Sequence, residues 1–145
     1  MFTINSNDKC SIDTFPLLWR WNQQSHALLS IEELSSIEPL TELKAKELQN
    51  LLVPLAEESN SKPIEKINSE SLNVNEWLSN HLANDETVFL SWDESTAIRL
   101  PSQLFILRND DFCYPSSDDI FIYPRSGKWL MQFHHFELYT WNLLT

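Results

Sequence analysis

The sequence contains one glycine, Gly127. A single glycine cannot build a phosphate-cradling loop, so Walker-type and dinucleotide-binding sites are excluded. It also leaves no glycine-rich oxyanion loop or nucleophile elbow beside any serine or cysteine. Cysteine is scarce, with only Cys10 and Cys113. Two are too few for a disulfide framework, and neither stands in a CxxC or Cys/His zinc spacing. A Cys10–Cys113 disulfide stays open at this level. No apolar run approaches the roughly 18 residues that cross a bilayer. The N-terminal MFTINSNDKC lacks the charged-then-apolar pattern of a signal peptide. The expected compartment is therefore the cytoplasm, with reduced thiols.

Positive charge is also in short supply. Ten Lys and Arg face 21 Asp and Glu, for a formal net charge of -11. Such a field repels nucleic acid and anionic lipid. It attracts basic proteins and speeds their encounter. The same excess also serves plain solubility. What the chain does have is apolar bulk: 42% hydrophobic residues, with six Trp and eight Phe among 145 residues. That suffices for the core of a single domain, 1–145.

The pattern divides into a helical part, about 16–82, and a mainly strand part, about 86–142. In PLLWRWNQQSHALL (16–29), Leu18, Trp21, Ser25, Leu28 and Leu29 recur at roughly helical spacing. Ser30 followed by Glu33 is a capping box for a short helical turn. From Pro39, the leucines at 40, 43, 48, 51, 52 and 55 form an apolar stripe, and Pro54 is expected to kink or end that helix. Residues 59–71 read as an exposed loop. Asn73 and Glu76 suggest another helix start, with Val74, Trp77, Leu78, His81 and Leu82 on one face.

The period then changes. TVFLSW (87–92) and residues 96–100 read as strands joined by a turn at Asp93 and Glu94. Residues 101–112 fit either a helix or a strand, and Pro101 favours a helix start. Residues 119–124, WLMQF and FELYTW then form three short strands, with Gly127 in a turn requiring positive φ. The expected fold is α+β, with N-terminal helices packed on one face of a C-terminal antiparallel sheet, a meander.

Four carboxylates, Asp110, Asp111, Asp118 and Asp119, crowd NDDFCYPSSDDIFIYP. Such a set could hold a hard cation, but the spacing is not an EF-hand, and Asp and Ser favour turns without any metal. His134 and His135 are neighbours in a presumed strand and would point to opposite faces. Either could pair with Asp118, Asp119 or Glu137 as acid and base, or simply hydrogen-bond at a strand end. Cys113 could be a nucleophile served by a histidine, or a small buried thiol. Arg99 and Arg108 could pair internally with Asp110 or Asp111. Trp92 beside Asp93 and Glu94, and Tyr114, Trp129 and Tyr139 near Asp118 and Asp119, suit recognition of a basic partner; at least half the tryptophans are expected in the core.

SWD (91–93), TAIRLP (96–101), DDFCYPSSDD (110–119) and WLMQFHHFE (129–137) together resemble small acidic bacterial proteins, among them immunity proteins of toxin systems. The resemblance covers about the last third of the chain. It implies a small cytosolic α+β protein that binds and blocks a cognate toxin, and it supplies no catalytic residues. The expected function is thus protein binding without catalysis, cofactor or metal. The expected partner is a basic protein such as a nuclease toxin, and the expected contact residues are Trp92, Glu94, Asp110, Asp111, Asp118 and Asp119. Two alternatives stand beside it: a small metal-assisted hydrolase using the Asp/His cluster, and a structural or interaction protein with no toxin.

Overall fold

The computed structural model describes residues 2–58 and 65–142. Three 3-10 turns open the chain, Ser6–Asp8, Ile12–Thr14 and Leu18–Arg20. There follow the hairpin β1 (Asn22–Gln23) and β2 (Ala27–Leu28), helix α1 (Ile31–Ser35), β3 (Glu38–Pro39) and the long helix α2 (Glu42–Glu58). Then come β4 (Glu65–Asn68), α3 (Val74–Leu82), β5 (Thr87–Ser91), β6 (Ala97–Pro101), α4 (Ser102–Phe112), β7 (Asp119–Pro124), β8 (Trp129–His134) and β9 (Glu137–Asn142). No helix among the described residues is long and apolar enough to cross a membrane.

Seven strands form one sheet in the order β3-β6-β5-β7-β8-β9-β4. Every pairing is antiparallel. The fold is the expected α+β class, and β7, β8 and β9 are its meander. Gly127 turns β7 into β8 at φ 71°, a conformation that disfavours any side chain.

Successive strand residues face opposite sides of a sheet, and here both sides are buried. Val88, Leu90, Ile98, Leu100, Ile120 and Ile122 pack against Val74, Leu78 and Leu82 of α3 and Leu104, Phe105 and Phe112 of α4. On the other side, Phe89, Ala97, Tyr123 and Leu130 meet Ala45, Leu48 and Leu52 of α2. The molecule is therefore built in three layers, where the sequence suggested two. The unbroken run Val88–Leu90 records this, because a strand covered on both faces loses its polar alternation. Leu48, Leu52 and Leu78 are fully buried, so truncating any of them to alanine costs about 2–5 kcal/mol.

Several sequence expectations need correction. Residues 16–29 form a 3-10 turn and the β1–β2 hairpin. Trp21 decides this: its buried ring stacks on Phe15 at 5.5 Å, and its indole N–H donates to the Asp111 carbonyl at 2.9 Å. Leu28, part of the supposed stripe, is exposed. Helix α2 continues past Pro54 to Glu58, and its Leu43 faces solvent while Ala45 takes the buried position. Of the supposed loop 59–71, residues 59–64 lie outside the described residues and Glu65–Asn68 forms β4, paired with β9. The capping box at Ser30 forms as read: Ser30 Oγ accepts from the Glu33 amide at 3.0 Å, and Glu33 accepts from the Ser30 amide at 2.9 Å. Residues 102–112 are helical, with a break in the helical geometry at Arg108.

Candidate functional site

Antiparallel pairing of Ser91 with Phe121 brings the end of β5 beside the start of β7. The chain leaves β5 through Trp92, whose amide donates to the Thr96 carbonyl at 3.0 Å. Asp93 shapes the turn by accepting the Ser95 amide at 2.8 Å, and Glu94 stands exposed beside it. Short polar side chains that bond their own backbone favour such a turn.

Beside this turn lies a buried ion pair. Arg20 Nη1 and Nη2 reach Asp118 Oδ2 and Oδ1 at 2.7 and 3.0 Å, a bidentate fork. Asp118 also accepts from the Tyr114 amide at 2.8 Å and from Ser117 Oγ at 3.2 Å. Burial pushes its carboxyl up, but the bonds from Arg20 and Tyr114 outweigh that and hold it below the usual value. The Arg20 guanidinium lies over the Tyr114 ring at 4.0 Å and near the partly exposed Trp19 at 5.5 Å. Trp92 packs inward against Phe15 and Trp21, with ring centroids at 5.9 and 6.4 Å.

A cleft of about 170 Å³ opens here, lined by Leu17, Arg20, Trp92, Asp93, Asp118 and Asp119. Asp119 is exposed and meets His134 Nδ1 at 2.5 Å across the β7–β8 pair. Three of the six residues expected at the contact, Trp92, Asp118 and Asp119, thus share one cleft, and Glu94 adjoins it. Asp118 is buried beneath the surface and committed to Arg20.

Asp110 and Asp111 lie apart from this cleft, on α4. Asp110 lines a second cleft, of about 450 Å³, whose apolar wall includes Val74, Phe105, Phe133 and Leu138. Asp111 sits 4.0 Å from Arg108, which also reaches Glu33 at 3.3 Å. Burial pushes the Asp111 carboxyl up, against the pull of Arg108. Arg99 pairs with Glu38 at 2.7 Å, away from both aspartates.

The histidine pair is not split across the sheet. His134 ends β8, His135 occupies the turn at φ 55°, and their rings lie 4.0 Å apart. Among the described residues no three His, Cys, Asp or Glu side chains gather as a metal site would need. Both thiols are free. Burial, aided by Asp118 and Asp110, pushes the Cys113 thiol well above its usual value, so it stays protonated and is a poor nucleophile. Sequence reasoning missed Arg20 and Trp19. The only available signal was the WRW triplet, one cation between two indoles.

Set beside known proteins, the chain matches no family model, no curated protein and no solved structure.

Proposed function

We propose that this protein is an immunity-type inhibitor, an acidic binding domain that docks on a basic toxin in the cytoplasm and silences it. A nuclease fits best as the toxin, because nucleic-acid-binding surfaces are basic. One observation carries the reading. Asp93, Glu94 and Asp119 are exposed at one end of the sheet beside Trp92, Trp19 and Tyr114, and the cation that lines the cleft there, Arg20, is already held by Asp118. Asp119 is bonded to His134, but none of the three carboxylates pairs with a lysine or arginine among the described residues; such exposed carboxylates steer a basic partner, and part-exposed aromatics supply the anchoring contact.

The test is capture of the tagged protein from its native host at low salt. A stoichiometric basic protein that elutes as salt rises, and whose toxic activity is silent in the complex, is the expected result. Reversing charge with Asp93→Lys and Asp119→Lys together should weaken that complex by about tenfold or more, mainly through slower association. Capture of no basic protein even with the toxin co-expressed, or an affinity untouched by the double reversal, overturns this interface. Asp118 is unsuitable for the same test, since its substitution disturbs the fold.

A further inference from the structure

We infer that the cleft of about 450 Å³ between α4 and the β8–β9 strands binds a small primary amine with an apolar body, the ammonium on Asn109 and the hydrocarbon on the cleft floor. This site shares no lining residue with the cleft beside Arg20, and it stands whether or not the protein inhibits a toxin.

The walls are fixed by the fold itself. Val74 of α3, Phe105 of α4, Phe133 of β8 and Leu138 of β9 belong to the core and also line the cleft, giving it an apolar floor. The chain between β4 and α3 closes one side. It is pinned there, because the Ser69 amide donates to the Phe136 carbonyl at 2.6 Å and the Ser71 amide to the Asn68 carbonyl at 3.0 Å. Sites for small organic ligands run to roughly 300–1,000 Å³ and are mostly apolar, with a few placed polar groups. This cleft lies inside that range.

Asn109 is the placed polar group. It is only 6% exposed, and it lines the cleft. Its Nδ2 donates to the Ile106 carbonyl and to Asn75 Oδ1, both at 2.8 Å. A main-chain carbonyl can only accept, so the amide cannot be turned end for end. Its Oδ1 then accepts from no donor among the described residues. Unlike Arg20 Nε and Trp92 Nε1, that oxygen is not sealed from solvent, so a ligand can reach it. A nearly buried acceptor without a donor is a cost that a bound N–H removes.

Charge selects the kind of donor. Glu70 and Asp110 are exposed and line the cleft, and no lysine, arginine or histidine lines it to balance them. A carboxylate or phosphate ligand is therefore repelled and an ammonium drawn in. A primary ammonium also carries the N–H that Asn109 lacks, in its stronger, charged form. The floor would take any hydrocarbon and the acids any cation. Only an amine with an apolar body answers the floor, the acids and Asn109 together.

The experiment titrates phenethylamine into the full-length protein and follows the Asn109 side-chain amide and the Val74 and Leu138 methyls by NMR. The expected result is a saturable shift of all three, with millimolar affinity or tighter. Phenethyl alcohol, the same body without the charge, should bind about tenfold more weakly or worse. So should the trimethylammonium analogue, which keeps the charge but has no N–H for Asn109. Glu70→Gln with Asp110→Asn should weaken the amine by about tenfold. Glu42→Gln with Glu57→Gln, which removes as much charge from α2 on the other side of the sheet, should not. Thermal melts of both variants separate lost binding from lost fold. The site is overturned if phenethylamine gives no saturable shift, as when water alone satisfies Asn109, or if the amine and the alcohol bind equally. Equal loss in the two double variants overturns it too, since net charge alone would then account for the binding. Equal affinity for the primary and the trimethylated amine overturns the bond to Asn109. Amine binding by a protein that captures no toxin would leave this site standing and remove the inhibitor reading.

Discussion

Arg20 and Asp118 lie 98 residues apart and form a buried, bidentate pair. A buried pair is weak support for stability in itself, yet breaking it strands a charge. Asp118→Ala should therefore cost about 3–5 kcal/mol in urea unfolding at neutral pH. Replacing both partners with apolar residues, Arg20→Met with Asp118→Leu, should recover most of that loss, since neither buried charge remains. The pH dependence has a definite sign. The folded carboxyl titrates below its ordinary value. Its contribution is thus fully present above the ordinary carboxylate range and fades as pH falls through the lower, folded value. Wild type should lose stability steeply below the ordinary carboxylate range, while Asp118→Asn should show a shallower acid limb. Equal slopes would mean that Asp118 is not the group that senses acid.

His135 lies in the two-residue turn between β8 and β9, with φ at 55°. A left-handed backbone is strained for a residue with a Cβ, so His135→Gly should raise stability by up to about 1 kcal/mol in thermal or urea unfolding. A destabilised variant would show that the ring contact with His134 outweighs the backbone strain. This turn also explains why the histidine pair misled as sequence: the two residues were assigned to one strand, and a strand forbids the ring contact that a turn allows. Elements stabilised by their own neighbours were legible. The Ser30 box, the Val74–Leu82 face, the Pro101 helix start and the Gly127 turn all carry local signals. Elements stabilised from afar were not. Glu38–Pro39 and Glu65–Asn68 become strands only because β6 and β9 offer them open edges. Residues 16–29 lose their helix to the burial of Trp21. The site follows the same division. Acids beside aromatics pointed to Trp92, Glu94 and Asp119, whereas the true state of Asp118 depended on an arginine almost a hundred residues away.

Charge acts on the molecule as a whole. Lys9, Arg20, Lys44, Lys66, Arg99 and Arg108, six of the ten cations, are already in ion pairs with carboxylates. The net acidic excess of 11 charges remains after these pairs are formed, and it repels itself in the folded state. Salt at roughly 0.1 M confines such repulsion to within about 10 Å. At neutral pH the unfolding midpoint should therefore rise with added sodium chloride. Near the isoelectric point, at about pH 4.6, the net repulsion vanishes and salt can only screen the ion pairs, so the same addition should lower the midpoint or leave it unchanged. A midpoint that falls with salt at both pH values would mean that the ion pairs, and not the net charge, govern stability. Binding must answer to the same charges in the opposite sense. Salt that relieves the folded protein also screens the attraction of Asp93, Glu94 and Asp119 for a basic partner. If the inhibitor reading holds, this protein becomes more stable and its complex weaker across one and the same salt titration at neutral pH.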